Sequence, residues 1–437
     1  MAGVDGTTVR VDAVEELAVD GLRWLVSTAR ETPEGGLAWP TDPAQEETDP
    51  TLYSGTAGIV SVLLEAWRHF GDDSYADLAL RAGRGVAAAV DGHGDDSLYF
   101  GRSGMALVLH TLGAELGDTA CGEAADHAMA LVRAHFDGER WGELFELMGG
   151  NGGIGLAALA VGDPGFAVLA VEPYLRTAER TPWGVTWPFR PGPEARMHHM
   201  SHGTLGVAHA LARIGHATGR ADLVELALAG VADVVARDEG GPDGFLVPHS
   251  TPQYLPDLIE PLSYGWCHGP TGDAQMFRLL RDTQGDPAWA ALADRCWHTV
   301  SHCGLPRRLR PGFWDNNGRC CGTAGVLALA CDRTAENAGG REAYDFARTV
   351  VADLAARAVR DASGARWFNV EHRVTPSELA PRTDWAQGCA GIVRELLRFV
   401  RLGRGGDPRY AFTWPDQPQV SAQATEPIRR AGSDVAS

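Results

Sequence analysis

The chain predicts an all-α fold, an α/α toroid of seven helix pairs arranged as two concentric layers around a central cavity. Three observations lead there. A Gly-x-x-Gly pair followed by small and apolar residues occurs seven times, at Gly55/Gly58, Gly101/Gly104, Gly150/Gly153, Gly203/Gly206, Gly269/Gly272, Gly322/Gly325 and Gly388/Gly391. The first glycines are 46, 49, 53, 66, 53 and 66 residues apart, and self-similarity at such a period marks a repeat architecture. Amphipathic segments fill the intervals, with no alternation of strand and helix patterns, which disfavours a Rossmann-like sheet.

Each repeat reads the same way. The glycine pair leads into a small, apolar run such as Ile59-Val60-Ser61-Val62-Leu63-Leu64 or Ile392-Val393-Arg394-Glu395-Leu396-Leu397, expected to be a buried inner helix. The more charged segments Ser74–Val90, Ala221–Arg237, Pro287–Cys303 and Glu342–Val359 are expected outside. Asp72-Asp73-Ser74 and Gly285-Asp286-Pro287 supply N-cap and first-turn signals for two of them. Glycine at the turn allows a tight approach of backbone into the inner helix. In repeats one, two and seven the glycines are expected to serve packing alone. The Pro- and Gly-rich stretches Pro40–Asp49, Pro182–Met197, Gly240–Leu262 and Pro306–Asn317 read as rim loops beside the cavity. One toroid is expected over residues 1–415, with 416–437 a disordered tail lacking apolar periodicity.

Composition narrows the function. Net charge is −19 over 437 residues with no basic run, which argues against nucleic acid and anionic membrane surfaces as partners. All 38 basic residues are arginine, so P-loop, Schiff-base and kinase chemistry that needs lysine is excluded. No signal peptide is expected from the first twenty residues, and no stretch of 18 apolar residues occurs that would span a membrane. A cytoplasmic location is expected. The eight cysteines are too sparse for a disulfide scaffold, and clustered cysteines in such a chain read as metal ligands or reactive thiols.

Three turns carry chemistry directly ahead of the glycine pair: Ser201-His202-Gly203, Trp266-Cys267-His268-Gly269 and Gly318-Arg319-Cys320-Cys321-Gly322. Cys267, Cys320 and Cys321 come from two distant turns, unlike the close pairs of a zinc finger. Three ligands with a fourth position open is the pattern of a catalytic zinc site, against the alternative of buried, inert thiols. Cys296, His298, His302 and Cys303 also look metal-like, but they fall on an expected outer helix and read as surface and core residues. His198 and His199 read as loop residues beside His202.

From Leu52-Tyr53-Ser54-Gly55-Thr56-Ala57-Gly58 to Gln387-Gly388-Cys389-Ala390-Gly391 the chain resembles the lanthionine synthetase C-like proteins, or lanthipeptide cyclases. Trp266-Cys267-His268-Gly269 and Cys320-Cys321-Gly322 are the most specific parts of the resemblance. It implies a toroid with zinc in its cavity, and a departure in which Cys321 replaces the family's usual histidine ligand. Three thiolates give a net −1 zinc site and a substrate thiolate makes it −2, which implies a more nucleophilic sulfur and a faster, more reversible addition. His202 matches the family's proton-handling histidine, and a pKa near neutrality suits that task. Glu146 sits where the family tends to carry an aspartate facing the site, with a plain surface or capping role as the alternative. His268 is expected to line the cavity, and Trp266 to wall it or pack in the core.

The implied activity is zinc-dependent addition of peptide cysteine thiols to dehydroalanine or dehydrobutyrine, forming thioether rings. The partners implied are a dehydrated precursor peptide and a separate dehydratase, since the toroid leaves no room for one. Addition of a free thiol such as glutathione, a sugar-processing α/α barrel with paired carboxylates, and a non-catalytic zinc-containing peptide-binding scaffold stay open.

Overall fold

A computed structural model describes residues 9–307, 316–336, 340–370 and 377–415. The expected tail after residue 415 and part of the last rim loop lie outside the described residues. Seven inner helices follow the seven glycine pairs: α2 (Thr56–Phe70), α4 (Arg102–Leu116), α6 (Asn151–Ala160), α9 (Thr204–Thr218), α11 (Pro270–Gln284), α13 (Thr323–Ala335) and α15 (Cys389–Gly403). The outer layer holds α1 (Val11–Ser27), α3 (Asp73–Ala89), α5 (Thr119–Ala134), α7 (Pro164–Val171) with the short α8 (Pro173–Thr177), α10 (Ala221–Val235), α12 (Pro287–His302) and α14 (Gly340–Arg357). Each inner helix packs on the next, and α15 packs on α2, so the ring closes. The fold is an α/α toroid.

The four outer helices for which the sequence suggested bounds, α3, α10, α12 and α14, begin and end within two residues of them. Asp72 caps α3 by accepting from the Ser74 amide, and Asp286 caps α12 from the Ala288 amide with Pro287 in the first turn. The seventh inner helix, α15, finds its outer partner at the other end of the chain, in α1. That helix has no glycine signature, so the repeat pattern leaves it out. The rim stretches carry short antiparallel ribbons. In one, Arg196–Met197 pairs with Ser250–Thr251 and ties two rim loops together.

The turns obey one steric rule. A Cβ added to the second glycine of each pair would sit 1.9–2.5 Å from the carbonyl oxygen six residues upstream. Gly272 against Trp266 O and Gly104 against Leu98 O are typical, at 1.9 and 2.0 Å. No side chain fits such a gap, so the glycines are there for close approach of backbone.

The turns are also joined to one another through the residue two before each first glycine. The Tyr53 amide donates to Tyr99 O (2.9 Å), Tyr99 to Met148 O (3.1 Å), Ser201 to Cys267 O (3.1 Å), Cys267 to Cys320 O (3.3 Å), Cys320 to Ala386 O (2.8 Å) and Ala386 to Tyr53 O (3.2 Å). The missing link, from Met148 to Ser201, is where the Met148 amide turns to the Glu146 carboxylate instead.

The inner helices are buried, but α15 is not uniformly apolar: Arg394, Glu395, Arg398 and Arg401 are buried along it. They are tolerated because the C-terminal segment runs beneath them inside the ring. Arg398 donates to Pro408 O (2.7 Å), Arg401 to Asp407 O (3.1 Å) and Arg394 to Phe412 O, while Tyr410 donates to Glu395 (2.7 Å).

Substituting Gly104→Ala forces a methyl into the Leu98 carbonyl and is expected to lower unfolding stability by about 3 kcal/mol. Gly122→Ala, on α5 with nothing within 4 Å of the new methyl, is expected to raise it by about 0.5–1 kcal/mol through helix propensity. Urea unfolding of the two variants checks both signs.

Candidate metal centre

The two residues before each first glycine stand at the mouth of the ring, and the turns of repeats four, five and six fill those places with Ser201-His202, Cys267-His268 and Cys320-Cys321. Closure of the ring brings the three cysteines together. Their sulfurs all lie within 4.8 Å of one another. Cys267 Sγ is 3.4 Å from Cys321 Sγ, and Cys321 Sγ is 3.5 Å from Cys320 Sγ. A tetrahedral zinc with bonds of about 2.3 Å to sulfur separates its ligands by about 3.8 Å, so the group is close to metal-binding geometry. Cys267 and Cys320 are buried and Cys321 is partly open.

The electrostatics of the three thiols also ask for a cation. Hydrogen bonds from Cys267 and Cys320 hold the Cys321 thiol well below its usual range. Sharing protons with Cys320 and Cys321, together with burial, pushes Cys267 well up. One thiolate forms at the expense of the others, and full ionisation of all three needs a compensating positive charge. The donor set fits a soft divalent metal.

Tyr53, in repeat one, was not anticipated. Its hydroxyl donates to Cys320 Sγ at 3.4 Å, so repeat one contributes more than packing to the site. No local pattern could reveal this, because the hydroxyl reaches a residue 267 positions away.

His202 and Glu146, which the sequence singled out separately, meet in the structure. Glu146 is buried and accepts from the Gly149 amide (3.1 Å), the Met148 amide and His202 Nδ1 (3.1 Å). This fixes the His202 tautomer with Nδ1 protonated, leaves Nε2 free to exchange a proton, and keeps 30% of the side chain open. Burial opposes the charged imidazole, but the charge and hydrogen bond of Glu146 outweigh it and raise the His202 pKa above its ordinary value.

The neighbouring imidazoles go the other way. His268 stacks on His202 with centres 5.6 Å apart and donates to or accepts from Ser201 Oγ at 3.2 Å. Burial holds it well below its ordinary pKa, and holds His198 and His249 at about 3. His198 and His199 are loop residues, but buried ones: His198 bonds Thr251 Oγ1 (2.9 Å), and His199 Nδ1 bonds the buried Asp273 of α11 (2.9 Å). Trp266 is fully buried and packs in the core against Tyr99 and Trp385. His298 and His302 stack on each other at 4.1 Å on the outer helix α12, which also carries Cys296 and is followed by Cys303 as its C-cap, as expected.

Fold and site together define an α/α toroid with a thiol cluster and a carboxylate-held histidine at its mouth. The profile of the family described as "Lanthionine synthetase C-like protein" matches residues 46–241 and 257–339, and the chain belongs to that family. Among solved structures it is similar to nisin cyclase, at 15% identity, covering 89% of this chain and 94% of that one with a TM-score of 0.62. It is also similar to an inactive variant of the α-1,6-mannanase GH76A of Salegentibacter sp. HEL1_6, at 12% identity, 89% and 99% coverage and a TM-score of 0.50. At those identities the likeness is one of fold. Comparison with curated proteins gives no match. No helix among the described residues is long and apolar enough to cross a membrane.

Turn seven supplies a pH prediction. Asp384 is buried, accepts from the Gln387 amide through Oδ1 (2.6 Å) and has no partner at Oδ2. Burial raises its pKa to about 7. A raised carboxyl pKa makes the fold prefer the protonated form, so stability falls as pH rises from about 4 to about 7. Asp384→Asn is expected to match the wild type below pH ~4 and exceed it by about 4 kcal/mol above pH ~7. Unfolding curves at several pH values test this; an equal pH slope in both proteins would contradict it.

Proposed function

We propose that the protein is a zinc-dependent lanthipeptide cyclase, adding cysteine thiols of a dehydrated precursor peptide to dehydroalanine or dehydrobutyrine. Family membership supports the class. The observation that carries the reading is the convergence of Cys267, Cys320 and Cys321 beside a histidine held by Glu146. The chain over residues 1–415 acts as one cyclase unit, and the dehydroamino acids come from a separate dehydratase. The fit of the thiol cluster to a soft divalent ion supports zinc as the metal.

Zinc held by Cys267, Cys320 and Cys321 would supply Lewis acidity that lowers the pKa of a substrate thiol, so that it reacts as thiolate near neutral pH. The chain's own residues manage protons and charge. Neutral His202 accepts the thiol proton at Nε2, with Nδ1 anchored on Glu146. The substrate sulfur then bonds to the β-carbon, and the electrons of the carbon–carbon double bond become an enolate. His202 returns its proton to the α-carbon, so nothing is gained or lost overall. The raised pKa of His202 favours the proton-loaded form that the second step consumes. The Tyr53 hydroxyl, donating to Cys320, draws off some of the negative charge that three thiolates create.

The direct test is incubation with a dehydrated, cysteine-containing peptide. Thiols open to alkylation should disappear without a change in peptide mass, and a peptide thiol should react in preference to glutathione. His202→Ala is expected to slow ring formation about 10²–10⁴-fold with metal content retained. Glu146→Gln removes the charge that raises the His202 pKa, so the inflection of the pH–rate profile assigned to His202 should move to lower pH. An unmoved inflection would separate Glu146 from the proton transfer. Cys321→His should keep the metal and slow the addition; an unchanged rate would count against the three-thiolate argument.

A further inference from the structure

Beneath the thiols, the centre of the ring contains a second group of buried polar side chains that the chemistry above does not use. Arg319 of turn six and Arg394 of α15 are both fully buried, and both address one carboxylate, Glu395. Arg319 Nε is 3.1 Å from Glu395 Oε1, Arg394 Nη1 is 3.8 Å from the same oxygen, and Glu395 Oε2 is taken by Tyr410 Oη at 2.7 Å. The other buried carboxylates here are engaged elsewhere: Asp332 by Arg278 and Arg398, Glu65 by Arg401. Within ion-pairing distance, two guanidiniums therefore share one carboxylate.

The same place is rich in hydrogen-bond donors without acceptors. Arg319 Nη1, Arg394 Nε and Nη1, Trp385 Nε1 and Trp414 Nε1 are all buried with no hydrogen-bond partner. These groups are neighbours. Arg319 lies 5.7 Å from the Trp385 ring centre, Arg394 lies 4.7 Å from that of Trp414, and the two indoles stack at 4.5 Å. Guanidinium and indole nitrogens can only donate. Leaving such donors buried and unpaired is costly, and a buried uncompensated charge more so. Water would bring protons of its own that need acceptors, whereas a monatomic anion accepts from every side and cancels the surplus charge. Burial, with the neighbouring Arg319 charge, holds the Arg394 pKa below its ordinary value despite Tyr410, Glu395 and Glu65, while at Arg319 the nearby negative charge outweighs burial.

We propose that the core of the ring binds one small monovalent anion, of the halide class, between Arg319, Arg394 and the indole N–H groups of Trp385 and Trp414. The site joins three parts of the fold. Arg319 precedes the zinc-ligand candidate Cys320, Arg394 is on the last inner helix, and Trp414 belongs to the C-terminal segment that fills the ring from below. Occupancy ties that segment to the turn bearing Cys320 and Cys321.

The test uses the full chain in sodium chloride and sodium gluconate at matched ionic strength. The thermal midpoint of the wild type should rise with chloride along a saturating curve and stay lower in gluconate, and 35Cl resonance broadening should be displaced by bromide. Trp414→Phe keeps the stack and removes one N–H, so half-saturation should move to about tenfold higher chloride, the factor expected for one hydrogen bond to a charged group. Arg394→Gln should abolish the saturating term. Should Arg394→Gln fail to fold, the wild-type resonance and Trp414→Phe still decide. Equal midpoints in the two salts with no displaceable broadening would overturn the proposal and assign these donors to water.

Discussion

Every turn at the mouth of the ring is held by the same close contact, a helical glycine pressed on the carbonyl six residues upstream. That contact fixes what the three preceding positions can do. The residue three before the first glycine points down and packs against the second glycine of an adjoining repeat, as Leu52 does on Gly104 and Trp385 on Gly58. The residue two before passes a backbone hydrogen bond to the adjoining repeat. Side chains in this second position and the one after it are thereby presented together at the mouth. A cysteine or histidine placed there in three repeats becomes a site once the ring closes, without any sequence proximity. The one break in the chain of hydrogen bonds lies between repeats three and four, and Glu146 fills it. The carboxylate that satisfies the Met148 and Gly149 amides is the one that orients His202.

Charge is distributed around the mouth with a clear division. Three thiols concentrate negative charge that burial penalises, and Tyr53 offers a single donor against it. Around them burial holds His198, His249 and His268 neutral, while His202, paired with Glu146, is the imidazole whose pKa moves up. Of these four histidines, the one whose pKa is raised is the one anchored on a carboxylate, and 30% of its side chain is open.

Much of this was legible in the sequence because the deciding signals are local. The glycine pairs, the caps at Asp72 and Asp286, the outer helices and the Cys-Cys turn are each encoded within a few residues. The resemblance to the lanthionine synthetase C-like proteins singled out Glu146 and His202 one by one, but their pairing across 56 residues was not legible. What escaped depends on ring closure. Nothing near Tyr53 says that its hydroxyl meets Cys320, and nothing near Val11–Ser27 says that this helix completes the seventh pair. The arginines of α15 look like solvent-exposed residues until the segment from Asp407 to Trp414 is seen packed beneath them. Buried His199 and Asp273 likewise find each other across 74 residues.

The central claim is that Cys267, Cys320 and Cys321 hold one zinc ion and leave a position for a substrate thiol. Zinc-edge X-ray absorption on the purified protein, before and after adding a dehydrated peptide with one unreacted cysteine, addresses it most directly. The account predicts three sulfur neighbours and one light-atom neighbour in the free protein, becoming four sulfurs with peptide. A fourth ligand from the protein that persists unchanged when peptide is added, or no bound zinc in freshly prepared folded protein, would contradict it.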